Sequence, residues 1–114
     1  MSRLLSTLTE TLAGTRAVTS REFQDYGILA FDPGGAGRTV TLPTLSADLK
    51  HHRVRIYNRA DAAETLTVTA THPVAGAVTV ATVDQNEAAE IFCPGGAATT
   101  DPGYYAVVYK IGIT

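Results

Sequence analysis

The chain has 114 residues, of which 45% are hydrophobic and 18% are charged, and its formal net charge is −2; this length fits one domain and leaves no room for two. Nucleic-acid binding needs clustered Lys and Arg, but Lys50 and Lys110 are the only lysines and the arginines are scattered, so we expect no nucleic-acid partner. No apolar run approaches the roughly 20 residues that cross a bilayer, so we expect no membrane partner either.

The first 22 residues differ in pattern from the rest, and we interpret residues 1–22 as an N-terminal arm. Leucines recur there at near-helical spacing, and Gly14 could end a short helix. Several threonines in the same stretch disfavour a helix, because their branched side chains lose freedom there. The arm is therefore helical or extended. It either docks on a neighbouring subunit, packs as a helix against its own domain or frays.

From residue 23 onward the hydrophobic pattern has the period of two that is typical of β-strands. Val54 and Ile56 alternate with polar residues and point one way, and Leu66 and Val68 do the same. Turn signals rich in Pro and Gly separate the apolar stretches. The predicted strands cover residues 26–31, 38–42, 53–58, 65–70, 77–83, 89–93 and 104–109, and residues 111–113 either continue the last strand or form an eighth.

This spacing predicts an all-β domain over residues 23–114. The expected architecture is an antiparallel β-sandwich or a jelly-roll-like barrel of seven to eight short strands, with the N-terminal arm before it. The outward-facing positions are rich in Thr and Ala, and the charged fraction of 18% is below the roughly 25–35% that suits the surface of a free monomer. We therefore expect an assembly to cover part of the surface.

Four short segments follow one another in a distinctive order: GRTVTLP at residues 37–43, RVRIYN at 53–58, LTVT at 66–69 and GYYAV at 103–107. This order resembles a module of tailed-phage virion proteins, in which a TVTLP strand precedes a strand ending in Asn, an LTV strand and a closing WY.V or YY.V strand. The resemblance covers roughly residues 27–109. The chain departs from the module in having no Trp before the closing tyrosine and no clear glycine-rich loop between the third and fourth strands.

The resemblance implies a non-enzymatic structural protein at the capsid surface of a virion, with no cofactor. Because only one module follows the arm and no shaft repeats occur, the chain is most similar to capsid decoration, or cement, proteins. That similarity implies a homo-oligomer, a trimer, which binds the major capsid protein and stabilises the shell by bridging its subunits. The alternative is a receptor- or glycan-binding module of a head spike, tail tip or fibre.

The last predicted strand contributes three candidate interface residues, Tyr104, Tyr105 and Tyr109. Tyr105 and Tyr109 share a face with Val107, whereas Tyr104 points the other way. Exposed tyrosines are favoured at protein interfaces and at sugar-binding surfaces, although these three could equally cover the rim of the core. The candidate contact residues of the arm are Leu4, Leu5, Leu8 and Leu12.

The remaining chemically reactive residues predict no catalytic, metal or cofactor site. Cys93, the single cysteine, alternates with Ile91 and so lies on the core face, as a small buried hydrophobe. His51 and His52 would point to opposite faces of a strand and could share a metal, with Asp48, only from a loop. Exposed loop histidines are the simpler interpretation.

Overall fold

The computed structural model describes residues 6–44, 49, 51–72, 76–93 and 104–110. Nine strands and one short helix, α1 (Ser20–Asp25), form within these residues. The strands are β1 (Thr7–Thr11), β2 (Arg16–Ala17), β3 (Ile28–Asp32), β4 (Arg38–Thr41), β5 (Arg53–Asn58), β6 (Leu66–His72), β7 (Gly76–Val83), β8 (Glu87–Phe92) and β9 (Tyr105–Lys110).

The strands form two sheets with a shared apolar layer. The five-stranded sheet has the order β1-β3-β5-β8-β9, and the four-stranded sheet has the order β2-β4-β6-β7. The first six strands alternate between the sheets, so the chain makes three successive circuits. Neighbours from these circuits are parallel, as in β1–β3–β5 and β2–β4–β6. The later pairs, β5–β8, β6–β7 and β8–β9, are antiparallel.

The expected all-β class is confirmed in the coarser sense that the fold is mostly β, with one short helix, but the expected antiparallel order is wrong for the first three circuits. A chain that crosses to the other sheet after every strand returns to its first sheet in the same direction, which makes neighbours parallel. Both sheets are consequently mixed, and among the described strands they do not close into a barrel. Hydrophobic periodicity reports which side chains face inward, but it does not report the direction of the neighbouring strand.

The predicted arm is, in its described part, built into the two sheets. β1 pairs with β3 and β2 pairs with β4, while Leu12 and Val18 are core residues that are each 3% exposed. Threonine is favoured in strands, and Leu8 and Leu12 lie an even number of positions apart, both on the inward-facing side, so the segment has strand periodicity as well. The described part of this segment therefore packs on its own domain, but as two strands and not as the helix that this alternative expected. The two sheets include residues on both sides of the predicted boundary between residues 22 and 23.

The core between the sheets is made of aliphatic and aromatic side chains. Its largest fully buried members include Phe23, Phe31, Leu29, Leu49, Ile56, Leu66 and Ile91. Asn58 is the buried polar residue of the described chain. Its amide nitrogen donates to the carbonyl oxygens of Glu64 and Val83, both at 2.8 Å, and its amide oxygen accepts from the Ala60 N–H. These bonds satisfy the side chain and join the end of β5 to the end of β7.

The turn signal after β3 has the conformation that its residues predict. Gly34 has a φ of 76°, and its N–H donates to the Asp32 carboxylate at 2.9 Å. A Cβ at this position would collide with the Leu12 carbonyl oxygen, which lies directly beneath the turn. Glycine is needed here both for the positive φ and for the close approach of the first circuit.

A three-residue ion cluster joins the first circuit to α1. The Arg16 guanidinium donates to Glu10 at 3.0 Å and to Glu22 at 2.7 Å, and it lies 5.5 Å from the centre of the Phe31 ring. Glu22 also completes a capping box with Thr19 at the start of α1. The hydrogen bond from Arg16 lowers the pKa of Glu22, so this carboxylate stays ionised in the folded protein to lower pH than usual.

We predict that Glu22→Gln removes part of the acid sensitivity of folding. Because the folded-state pKa of Glu22 lies below its usual 4.5, its contribution to stability is present above that pH and is lost as the pH falls through the lowered value. Glutamine retains the capping box but loses the charge, so the variant should be about 1 kcal/mol less stable at neutral pH. The two proteins should converge in stability at strongly acidic pH, as measured by urea unfolding over a pH series.

The matched control for this prediction is Asp25→Asn. Asp25 pairs with Arg21 at 3.4 Å on the exposed side of α1, where an ion pair contributes little. This variant should follow the wild-type pH dependence. A Glu22→Gln protein whose stability falls with acid as steeply as the wild type would contradict the role of the ion cluster.

Candidate interaction surface

The outer side of the five-stranded sheet carries aromatic rings and charges in adjacent rows. In β5, Val54 and Ile56 are buried, so the side chains that alternate with them point outward. The registers of β5–β8 and β8–β9 place outward residues of the three strands next to one another. We call the resulting patch the aromatic–arginine surface; it consists of Arg53, Arg55, Tyr57, Glu90, Phe92, Tyr105, Val107 and Tyr109.

Its two arginines are fixed by charge and by aromatic rings. Glu90 lies between them, 3.5 Å from Arg53 and 4.0 Å from Arg55. The guanidinium of Arg53 lies 5.4 Å from the centre of the Phe92 ring, and that of Arg55 lies 5.8 Å from the Tyr109 ring. Such cation–π contacts are worth about 0.5–1 kcal/mol at exposed sites. They restrict the guanidinium groups before any partner binds.

Ionisation on this surface is constrained by the same contacts. Interaction with the Tyr57 hydroxyl holds the pKa of Arg55 above its usual value, and burial raises the pKa of the Tyr109 hydroxyl. Arg55 therefore remains cationic and Tyr109 remains neutral throughout the physiological range.

The three candidate tyrosines occupy different environments. The Tyr104 hydroxyl donates to the Pro43 carbonyl oxygen at 2.6 Å, its ring lies 5.6 Å from the Phe23 ring, and the residue is 8% exposed. Burial raises the pKa of its hydroxyl above the usual value. Tyr104 is thus a core residue, whereas Tyr105 is 52% exposed and Tyr109 is half-buried beneath Arg55. The expected separation of Tyr104 from the face of Tyr105 and Tyr109 is confirmed.

The leucines of the predicted arm do not form an exposed patch in the described chain. Leu12 is buried in the core, and Leu8 is partly buried and packs against it. Leu4 and Leu5 lie outside the described residues. Both leucines that the structure describes therefore pack against apolar residues of their own chain.

His51 and His52 directly precede the start of β5, and His72 is the last residue of β6. His51 adopts a positive φ of 68°, and its ring stacks on Phe92 with 6.5 Å between centroids and an interplanar angle of 5°. His52 and Cys93 are joined through the backbone, and Cys93 is buried as expected. Asp48 and the side chain of His72 lie outside the described residues. The described residues contain no group of three potential metal ligands.

The outer side of the four-stranded sheet has a different chemistry. Two rows of threonines cross β4, β6 and β7, with a register shift after Val68 that keeps threonine outward in both rows. We call this patch the threonine surface; it consists of Thr39, Thr67 and Thr82 in one row and Thr41, Thr69 and Thr79 in the other. It has no charged side chain, and threonine is the residue that sheets favour at half-exposed positions. Its composition is accounted for by strand formation alone.

The arginines and Phe92 were not predicted from the sequence as interface residues. The alternation of Arg53, Arg55 and Tyr57 showed that they share an outward face, but that pattern also fits solvated strand residues. Their partners lie 35 or more residues further along the chain, on β8 and β9. Only the register of those strands brings the cations over the rings, and periodicity contains no information on that register.

Comparison of the chain with protein-family models, with curated proteins and with solved structures found no match. Within the described residues no helix has the length and apolar character needed to cross a membrane, since α1 has six residues.

We predict that Tyr104→Phe destabilises the protein by about 1–2 kcal/mol, because it removes the hydrogen bond to the Pro43 carbonyl and leaves that acceptor without its partner. Urea unfolding measures the difference. The neighbouring change Tyr105→Phe alters an exposed side chain and should remain within about 0.5 kcal/mol of the wild type. Equal stability of the two variants would show that the Tyr104 hydroxyl does not contribute to the fold.

Proposed function

We propose that this chain is a structural protein of a tailed-phage virion, a capsid decoration protein that binds the assembled shell and bridges major capsid subunits. The observation that carries the proposal is the aromatic–arginine surface. Arg and aromatic residues are enriched at protein interfaces, and here they are ordered before binding. Ordering in advance lowers the entropy cost of association.

The fold also supports the resemblance that suggested this role. The four resembling segments fall on β4, β5, β6 and β9. The first and last are in direct contact, because the Tyr104 hydroxyl bonds to Pro43, and the Asn that ends the second segment ties β5 to β7. These contacts connect the spaced segments within one folded unit. For the architecture of this unit we propose a β-sandwich module built from the two sheets.

A decoration protein acts by mass action. Whatever binds only the assembled shell shifts the equilibrium toward assembly, without any catalytic step. A surface whose arginines are already held by Glu90 and by aromatic rings suits this role because the contact has to persist rather than turn over. The trimer implied by the resemblance stays a prediction, as does localisation at the capsid surface.

Binding to empty shells tests the proposal. We predict that Arg53→Ala, which removes the cation over Phe92 and the pair with Glu90, weakens binding by about tenfold or more. Thr79→Ala on the threonine surface is the matched control and should bind normally. The assay is co-sedimentation of the purified protein with empty shells of the phage that encodes it. Absence of shell binding by the wild-type protein would overturn the proposal.

Shell stability provides the second readout. Particles that lack the protein should lose their genome at lower temperature or under osmotic shock, and added wild-type protein should restore resistance. Particles of equal resistance with and without it would count against a cementing role even if the protein binds.

A receptor- or glycan-binding module is the second candidate, favoured by one feature. A depression of about 190 Å³ lies beside the exposed ring of Tyr105 and is also lined by Arg53, Glu90 and Phe92. Aromatic rings beside polar groups suit a sugar ring, which has one apolar and several hydroxylated faces. Selective signals on a glycan array that disappear with Tyr105→Ala would favour this candidate, whereas shell binding without glycan selectivity would favour decoration.

A further inference from the structure

Exposed large hydrophobic residues are concentrated on one strand. In the described part of the chain they are Tyr105, Val107 and Val108, with 52%, 66% and 40% of their surfaces exposed. All three belong to β9, which is the edge of the five-stranded sheet among the described strands. Scattered exposed apolar residues need no explanation, but three on one edge strand do.

The positions of the two valines indicate what kind of partner would cover them. Val107 pairs with the outward residue Glu90 and Val108 pairs with the inward residue Ala89, so they lie on opposite faces of the sheet. On the inward side Ala106 packs against the core, whereas Val108 is 40% exposed although its pairing partner Ala89 is fully buried, so the cover over this side of β9 is incomplete at Val108. A partner lying flat on one face would cover only one valine. A strand added beside β9 would cover both.

The edge of β9 also has little of the protection that edge strands usually carry. Charges, prolines and bulges normally prevent sheets from joining edge to edge. Residues 105–109 have no charge or proline, and β9 pairs with β8 without a register shift. Its one charge, Lys110 at the end of the strand, pairs with Glu87 at 3.4 Å.

We propose that β9 pairs antiparallel with β9 of a second copy of this chain, about a two-fold axis at Val107. In that register Val107 lies opposite its own equivalent, Tyr105 lies opposite Tyr109, and Ala106 lies opposite Val108. Aromatic residues therefore meet aromatic residues on the outer face, and small apolar residues meet on the inner face. The strand is complementary to itself, as a two-fold contact requires.

The charges around this register are compatible with a second copy. Glu90, the charged neighbour of Val107 in the register, is paired with both Arg53 and Arg55, so no unpaired carboxylates approach each other across the axis. The two aromatic–arginine surfaces would adjoin on the same side of one ten-stranded sheet. This contact does not depend on the chain's being a virion protein.

The other edge of the same sheet is a poorer partner for β9. β1 exposes threonines at Thr7, Thr9 and Thr11 and has Glu10 at an inward-facing position. Pairing β9 with β1 of another copy would cover the valines with hydroxylated side chains. It would also be a head-to-tail contact, which closes only if the rotation between copies allows a ring.

The first test is the mass of the protein in solution, measured by light scattering after size exclusion. A two-fold contact gives a dimer, or a hexamer if a threefold contact also exists, so the copy number should be even. Val107→Lys should halve the mass, because it places a charge on the axis. Thr9→Lys, the matched change at the β1 edge, should leave the mass unchanged, and unfolding by urea should show both variants folded. A monomeric wild type, an odd copy number or an unchanged mass of Val107→Lys would overturn the proposal.

The second test fixes the register by cross-linking. Val107→Cys should form a disulfide with its own equivalent under mild oxidation, because opposed strand residues have Cα atoms about 4.5–5.5 Å apart. The wild type should not cross-link, since its one cysteine, Cys93, is buried. Cross-linking of Val107→Cys with Thr9→Cys in a mixture, and not with itself, would identify a head-to-tail contact and overturn the two-fold arrangement.

Discussion

The two sheets of this protein share one apolar layer, and neither can bury its inner face without the other. The first six strands meet this constraint by alternating between the sheets, so that each circuit adds one strand to both. Leu12 and Val18, on either side of the first crossing, belong to the same core as Ile56 and Ile91. The first circuit is therefore part of the fold, and residues that resemble an arm in sequence complete the core.

Arg16 shows how a polar group is accommodated at the border of that layer. Glu10 takes an inward-facing position in β1, where an apolar residue would continue the pattern, and Arg16 neutralises it from β2 while also bonding to Glu22 in α1. Removing one partner from such a group leaves charge without compensation in a partly buried place. The cluster thus links three elements that have few apolar residues of their own.

The sequence pattern predicted the faces of the strands well and their neighbours poorly. Val54, Ile56, Leu66, Val68 and Cys93 are buried as alternation predicted, because burial of one face is a local property of a strand. The direction of each strand depends on where the preceding connection leads, which alternation does not encode. The charge of Glu10 also interrupted the period of two in β1, and the contact that compensates it exists only in the folded chain.

The candidate surface was partly predictable for the same reason. The outward positions of Arg53, Arg55 and Tyr105 follow from alternation, but their value as a surface depends on β8 lying between β5 and β9. That order puts Glu90 between two cations and puts Phe92 and Tyr109 beneath them. Tyr104 illustrates the converse, since its residue type suits an interface but its ring lies against Phe23 in the core.

The strand order also explains why the two outer faces differ in what they can bind. Threonine rows on the four-stranded sheet offer methyl and hydroxyl groups with no charge and no ring, and their presence follows from strand propensity. On the five-stranded sheet, cations lie over rings, and β9, the edge among the described strands, adjoins them with its exposed apolar side chains, so one region combines charge, aromatic area and apolar area. Interfaces derive most of their binding energy from a few Arg and aromatic residues surrounded by less important contacts. Any contact that uses this region engages β9 as well, so the two proposed contacts, pairing between copies and binding to a larger partner, would lie next to each other on a single side of the molecule.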